Sequence, residues 1–329
     1  MPVRLREIRA RRRLTPKQAS ELVGLTAPAY DPTFTDAVLV RDAGSGAPQL
    51  IYTPIEGGVG DLRRAVLGID KWNPVQRASG MYGDSRTFGS YPRRPIYGRE
   101  GCTPTQLSTE NPQLHGVLLR YANDLSASLA EWVPSVFAQG IAEVTPVKAE
   151  WRLGETTWTS GVINNSTVLP YHRDAGNFRA WSAMPVIRRQ MAGGALHLPE
   201  YDLTVPCRDG WCVLFPGYEL VHGVTPMRLR QRDGYRFSVV FYALRGMRDC
   251  ATVALETARA REMRTQRERS IAARLVTGEP ADIRDYRTAG AVSAAHGRDP
   301  RVAKKASGRL IGGRDTRSMR PDPPRVGDR

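Results

Sequence analysis

Hydrophobic and polar positions along this chain fall into distinct regimes. From Pro112 to Leu129, apolar residues recur at Leu114, Leu118, Tyr121, Leu125 and Leu129. That spacing lines one face of a helix, and such a stripe predicts a helix backing a sheet, with Pro134 interrupting the chain beyond it. Between Trp151 and Tyr242 the pattern changes to short apolar runs divided by turn signals. Val162, Ile163 and Val168 stand among Thr and Trp residues, which is strand-like. Gly193-Gly194 leads into Ala195-Leu196-His197-Leu198-Pro199-Glu200, and Asp209-Gly210 into Trp211-Cys212-Val213-Leu214-Phe215. Asp233-Gly234 leads into Tyr235-Arg236-Phe237-Ser238-Val239-Val240-Phe241-Tyr242. Asp249 to Val276, rich in Arg and Glu, predicts a long helix. Beyond Gly278 apolar residues thin out, and a flexible tail is expected.

Residues 1–100 are mixed. Short strand-like runs occur at Ala37-Val38-Leu39-Val40 and Leu50-Ile51-Tyr52, while Gly, Pro and Arg mark Gly80 to Gly101 as a loop. The 329 residues suit one large domain or two modest ones. The expected organisation is a partly basic N-terminal extension packed on the core (1–100), a catalytic β unit (101–248) and a basic, helical, then flexible tail (249–329). The class is α+β, without internal repeats.

The candidate chemistry sits in the β unit. His172-Arg173-Asp174 is followed 50 residues later by His222, and 14 residues after that by Arg236-Phe237-Ser238. In extended backbone, residues i and i+2 point the same way, so His172 and Asp174 can reach one ion together. A second, distant histidine completes the two-His-one-carboxylate facial set of non-haem Fe(II) oxygenases, which leaves three metal positions open. An arginine matches a carboxylate with two parallel hydrogen bonds.

This order of strands and ligands resembles the double-stranded β-helix, a jelly-roll or cupin-like core with flanking helices, of the Fe(II)/2-oxoglutarate-dependent dioxygenases. His172-Arg173-Asp174-Ala175-Gly176-Asn177 and Arg236-Phe237-Ser238-Val239-Val240-Phe241-Tyr242 resemble two signatures of the ten-eleven translocation (TET) and J-binding protein branch. The resemblance covers roughly residues 150–245. It implies Fe(II), 2-oxoglutarate and O₂, and hydroxylation of the 5-methyl group of a DNA pyrimidine, 5-methylcytosine first, as in phage-type enzymes. By resemblance His172, Asp174 and His222 bind iron, and Arg236 and Ser238 hold the distal carboxylate of 2-oxoglutarate. His197 contacts its other end, Asn177 hydrogen-bonds the flipped base and Tyr242 stacks on it. Arg86 is a candidate second clamp. Leu244 stands where animal members carry a base-contacting histidine, which leaves thymine open as the target. A protein side chain, a small molecule, or a non-catalytic nucleic-acid-binding barrel are the other readings.

The net charge of +15 and a pI near 10.1 favour a polyanionic partner, DNA above all. The excess is almost all Arg, 43 against 5 Lys, which a GC-rich coding sequence also produces. Its placement is informative: Arg4 to Arg13 form one cluster, and residues 245–329 hold 20 basic against 11 acidic residues. No apolar run approaches the roughly 18 residues that span a membrane, and no secretory signal is expected. Cys102, Cys207, Cys212 and Cys250 lack metal-ligand spacing. Reduced thiols in a cytoplasmic setting, bacterial or that of a phage-infected host, are the expectation.

Overall fold

The run Tyr235–Tyr242 becomes a central strand whose two faces do different work. The structure, a computed structural model, describes residues 3–76, 82–94 and 99–278. In chain order the elements are β1 (Arg6–Ala10), α1 (Pro16–Ser20), β2 (Val38–Asp42), β3 (Pro48–Pro54), α2 (Gly60–Leu67), β4 (Asn73–Gln76), β5 (Tyr82–Tyr91), β6 (Thr103–Pro104) and α3 (Gln106–Glu110). There follow α4 (Pro112–Trp132), α5 (Pro134–Val144), β7 (Ser160–Asn165), β8 (Ser182–Arg189), β9 (Met191–Gly193), β10 (Leu196–Leu198) and β11 (Leu203–Val205). The last are β12 (Trp211–Phe215), β13 (Gly223–Val224), β14 (Met227–Leu229), β15 (Tyr235–Tyr242) and α6 (Val253–Thr277).

Ten strands form one sheet in the order β1-β2-β3-β12-β8-β15-β7-β5-β4, with β6 on β5. β1 runs parallel to β2; β15 pairs antiparallel with both β7 and β8, so that Val239 faces Ile163 and Phe237 faces Ile187. Two small sheets, β11-β10-β13 and β14-β9, are separate from it. Phe237, Val239 and Phe241 pack with Phe88, Ile163 and Leu214 under the helices. There they meet the predicted stripe of α4, in which Leu114, Leu118, Leu125 and Leu129 are all buried. Each such side chain contributes roughly 1.5–3 kcal/mol on burial. Asn111 caps α4 by accepting the Leu114 N–H at 2.9 Å. Pro134 begins α5 at a first-turn position, where its missing N–H is no loss. On the other face of the sheet, Met184, Val186, Val213 and Phe215 pack against Leu196, Leu198, Leu203 and Val205 of the small sheet. The result is the expected α+β jelly roll backed by helices.

Several expectations change. The described residues up to Arg94 and from Arg99 to Gln266 group into one compact unit. β3 pairs with β12 and β5 with β7, partners too far apart in sequence for a local pattern to show. The segment expected as a loop, Gly80 to Gly101, contains β5, the longest strand described. The run Trp151–Val168 yields only β7, and Trp151 ends a short 3₁₀ turn. Cys102 and Cys250, 148 residues apart, are joined by a disulfide, which corrects the all-thiol reading; Cys207 and Cys212 are free and buried. The described residues from Arg267, the end of α6, fall in a second unit. The expected flexible tail lies outside the described residues. Among the described residues, no helix is long and apolar enough to cross a membrane.

Candidate active site

His172 and His222 lie outside regular strands, on two extended segments joined by an isolated antiparallel bridge. The Asp174 N–H donates to the Gly217 carbonyl at 2.9 Å, continuing that pairing. The i, i+2 relation turns Asp174 toward both rings. His172 Nε2 is 3.8 Å from Asp174 Oδ1, and His222 Nε2 is 3.9 Å from Asp174 Oδ2. The three ligand atoms lie within 4.8 Å of one another. Each imidazole donates its Nδ1–H to a backbone carbonyl, His172 to Pro170 at 2.8 Å and His222 to Leu220 at 2.9 Å. Those bonds leave the Nε2 lone pairs free to bind metal. Burial, reinforced by the neighbouring His172, brings the pKa of His222 down to about 4, so the ring is neutral, as a ligand must be.

Along β15, Arg236, Ser238, Val240 and Tyr242 share the face opposite the helices. Arg236 is fully buried, and its Nε and Nη2 find no hydrogen-bond partner among the described residues. It lies beside Arg188 in the β8–β15 register. The turn Gly193–Gly194 closes down on it, since a Cβ at Gly194 would fall 2.9 Å from Arg236 Cδ. A buried guanidinium without a carboxylate is costly. The arrangement fits the incoming carboxylate of an organic acid, and the donor set of the triad fits Fe(II). Ser238 accepts a hydrogen bond from Asn164 at 3.3 Å. A cavity of about 580 Å³ is lined by the triad, Asn177, Leu244 and, from β15, Ser238, Val240 and Tyr242; Arg236 precedes Ser238 on the same face of that strand and is not itself in the lining.

No family model matches the sequence, and no curated protein matches it. Among solved structures, NgTET1 in complex with 5mC DNA superposes with a TM-score of 0.50 at 15% identity, covering 72% of this chain and 94% of that one. An oxidoreductase of the 2OG-Fe(II) oxygenase family from Burkholderia pseudomallei gives 0.40 at 14%, covering 60% and 86%. The chain shares the fold of NgTET1.

Within this fold, two expected site residues lie elsewhere. On β10, Leu196 lines the cavity, so His197 faces away from it. His197 is hydrogen-bonded through Nδ1 to the Tyr171 hydroxyl at 2.6 Å and stacked on Tyr30 at 4.4 Å. On β5, Ser85 and Thr87 line the cavity, and Arg86 points to the opposite side, 4.0 Å from Glu110. Alternation along a strand decides both cases. Asn177 and Leu244 stand together at the cavity, joined by a backbone bridge. Ser85, Thr87 and Tyr91 of β5 and Asn164 of β7 also face the cavity, and sequence reasoning missed them. The Thr87 hydroxyl bonds the Tyr91 hydroxyl. No clean alternation marked the β5 residues, because Arg86 stands on the face that Phe88 shares. A larger cleft of about 880 Å³, with Arg11 and Arg12 on its wall, contains none of His172, Asp174 and His222.

Proposed function

We propose that this protein is an Fe(II)/2-oxoglutarate-dependent dioxygenase that hydroxylates the 5-methyl group of a pyrimidine in DNA, 5-methylcytosine first. The observation that carries the reading is a two-histidine-one-carboxylate cluster together with a fully buried Arg236, whose Nε and Nη2 have no partner among the described residues, on the strand that walls the same cavity. Iron, 2-oxoglutarate and O₂ supply the oxidation: the cosubstrate is decarboxylated to succinate and a C–H bond becomes C–OH.

The chain's own groups do the rest. His172, Asp174 and His222 would hold the metal. Arg236 and Ser238 take the distal carboxylate. Val162, Val240, Met184 and Leu196 wall the cavity with apolar surface and exclude water. At the substrate end, Thr87, Tyr91, Asn177 and Tyr242 offer neutral hydrogen-bonding groups and aromatic faces. Among the described residues that line the cavity, Asp174 is the only carboxylate, so none of them besides it matches a cationic side chain such as lysine. An uncharged, planar, polar base matches better. Turning it out of the duplex costs a few kcal/mol, which Tyr242 offsets by stacking and Asn177 by hydrogen bonding.

The net charge of +15 supports a DNA partner. Leu244 offers no hydrogen bond to a cytosine ring, which favours thymine as the second reading. A cytoplasmic site of action belongs to this proposal and rests on the DNA substrate, because the Cys102–Cys250 bond removes the all-thiol argument. The proposal is tested by following 2-oxoglutarate conversion to succinate with Fe(II), with and without methylated duplex. Stimulation by duplex supports it. Turnover that duplex leaves unchanged redirects the reading to a protein or small-molecule substrate, and no turnover under any condition favours a non-catalytic barrel.

A further inference from the structure

Arg173 stands between two of the proposed iron ligands, yet its guanidinium turns away from them. Its Nε donates to the Glu219 carbonyl at 2.6 Å, Nη1 to Ser20 Oγ at 2.6 Å, and Nη2 to the Pro16 carbonyl at 3.0 Å and Glu200 Oε1 at 3.1 Å. The same Glu200 oxygen accepts the N–H of Val221, the residue before His222, at 3.0 Å. Glu200 is 1% exposed, in the turn between β10 and β11. One buried carboxylate atom therefore touches both segments that carry metal ligands: His172–Asp174 through Arg173, and His222 through the neighbouring amide. The Glu200 carbonyl also accepts the N–H groups of Arg13 and Leu14, which ties in the N-terminal segment.

We propose that Glu200 is a positioning residue for the iron ligands, acting through Arg173 and the Val221 amide. The inference rests on the iron site described above. A buried carboxylate retained by a cation and a backbone amide is strongly directional, and outer partners of metal ligands commonly govern affinity. Without Glu200, the His222 segment loses a hydrogen bond beside the ligand, and Arg173 loses its only carboxylate partner among the described residues.

The test uses the full chain and Co(II) as a spectroscopic probe. Metal affinity and the visible Co(II) spectrum are measured for wild type, Glu200→Ala, Glu200→Gln, Arg173→Lys and the double variant Glu200→Ala/Arg173→Lys, with near-UV circular dichroism reporting folding. Glu200→Ala is expected to weaken Co(II) binding about 10- to 100-fold and to alter the spectrum. Glu200→Gln, whose amide oxygen still accepts both hydrogen bonds, stays within about threefold of wild type. Arg173→Lys, which keeps the charge but not the fork of donors, weakens binding at least about fivefold. The double variant is no weaker than the worse single, because both act through one link. Should Glu200→Ala fail to fold, Arg173→Lys and Glu200→Gln still decide. A folded Arg173→Lys or Glu200→Ala with wild-type affinity and spectrum overturns the inference and leaves the iron site standing. Wild type that takes up no Co(II), or His172→Ala that binds it as tightly, overturns the site and the inference together.

Discussion

His172 and His222 exchange both of their backbone hydrogen bonds, each 2.9 Å long. The pairing places two imidazoles 4.3 Å apart, centroid to centroid, from residues 50 positions apart in sequence. Metal geometry here is a property of backbone pairing. Replacing His172 and Asp174 together with Ala removes two of three ligands and keeps that backbone, so 2-oxoglutarate turnover is expected to vanish while circular dichroism stays native. Turnover that persists in the double variant contradicts the metal assignment.

Arg236 carries a charge in a place where charge is expensive. Arg236→Met should abolish cosubstrate-dependent turnover, a loss of at least about 100-fold for a bidentate charged contact. The apo protein, relieved of an unpaired buried cation, should melt at or above the wild-type temperature. In wild type 2-oxoglutarate raises the melting temperature by binding only the folded state; in Arg236→Met it should not. Thermal melts with and without 2-oxoglutarate check both statements.

The His222 ring sets a pH dependence. Its ordinary pKa of 6.5 applies in the unfolded chain, and burial lowers it to about 4 in the folded one. Between those values the unfolded state binds the extra proton. The metal-free protein therefore loses stability as pH falls from about 6.5 to about 4 and levels off below, a loss on the order of 3 kcal/mol. Urea unfolding at pH 7 and pH 4.5 should show the loss, and His222→Gln should reduce it.

The Cys102–Cys250 bond closes a long loop, 148 residues apart in sequence. Replacing both cysteines with Ser should lower stability by about 2–5 kcal/mol. Denaturant titration in the presence and absence of reductant measures it, and equal midpoints would show that the bond is not formed in solution.

Tyr242 and its neighbours lead to a prediction about substrate. Base-on-aromatic stacking is worth about 1–3 kcal/mol, so Tyr242→Ala should raise KM for duplex roughly 5- to 150-fold. Steady-state assays over a range of duplex concentrations check this.

Much of the site could be read from the chain, for physical reasons that differ by residue. His172, Asp174, His222 and Arg236 stand at a spacing that one chemistry demands, in a chain with only five histidines, and the structure brings the first three together. The stripe of α4 and the strand β15 show in periodicity because each buries one full apolar face. β5 did not show, since its cavity face is polar, with Ser85 and Thr87, and Arg86 sits on its other face. His197 lies off the cavity lining, because resemblance to a motif says nothing about which side of β10 the ring takes. Leu196 beside it holds the cavity face. The disulfide and the joining of β3 to β12 and β5 to β7 depend on contacts that no local pattern encodes.

The most direct measurement is nucleoside mass analysis of duplex DNA incubated with the protein, Fe(II), 2-oxoglutarate and ascorbate. One duplex carries 5-methylcytosine and the other only ordinary bases, including thymine. A gain of one oxygen on 5-methylcytosine is the predicted result, and it would show that Leu244 admits a cytosine ring. A gain on thymine alone moves the target base within the same chemistry. Unaltered bases in both duplexes, with 2-oxoglutarate consumed, would contradict DNA as the substrate.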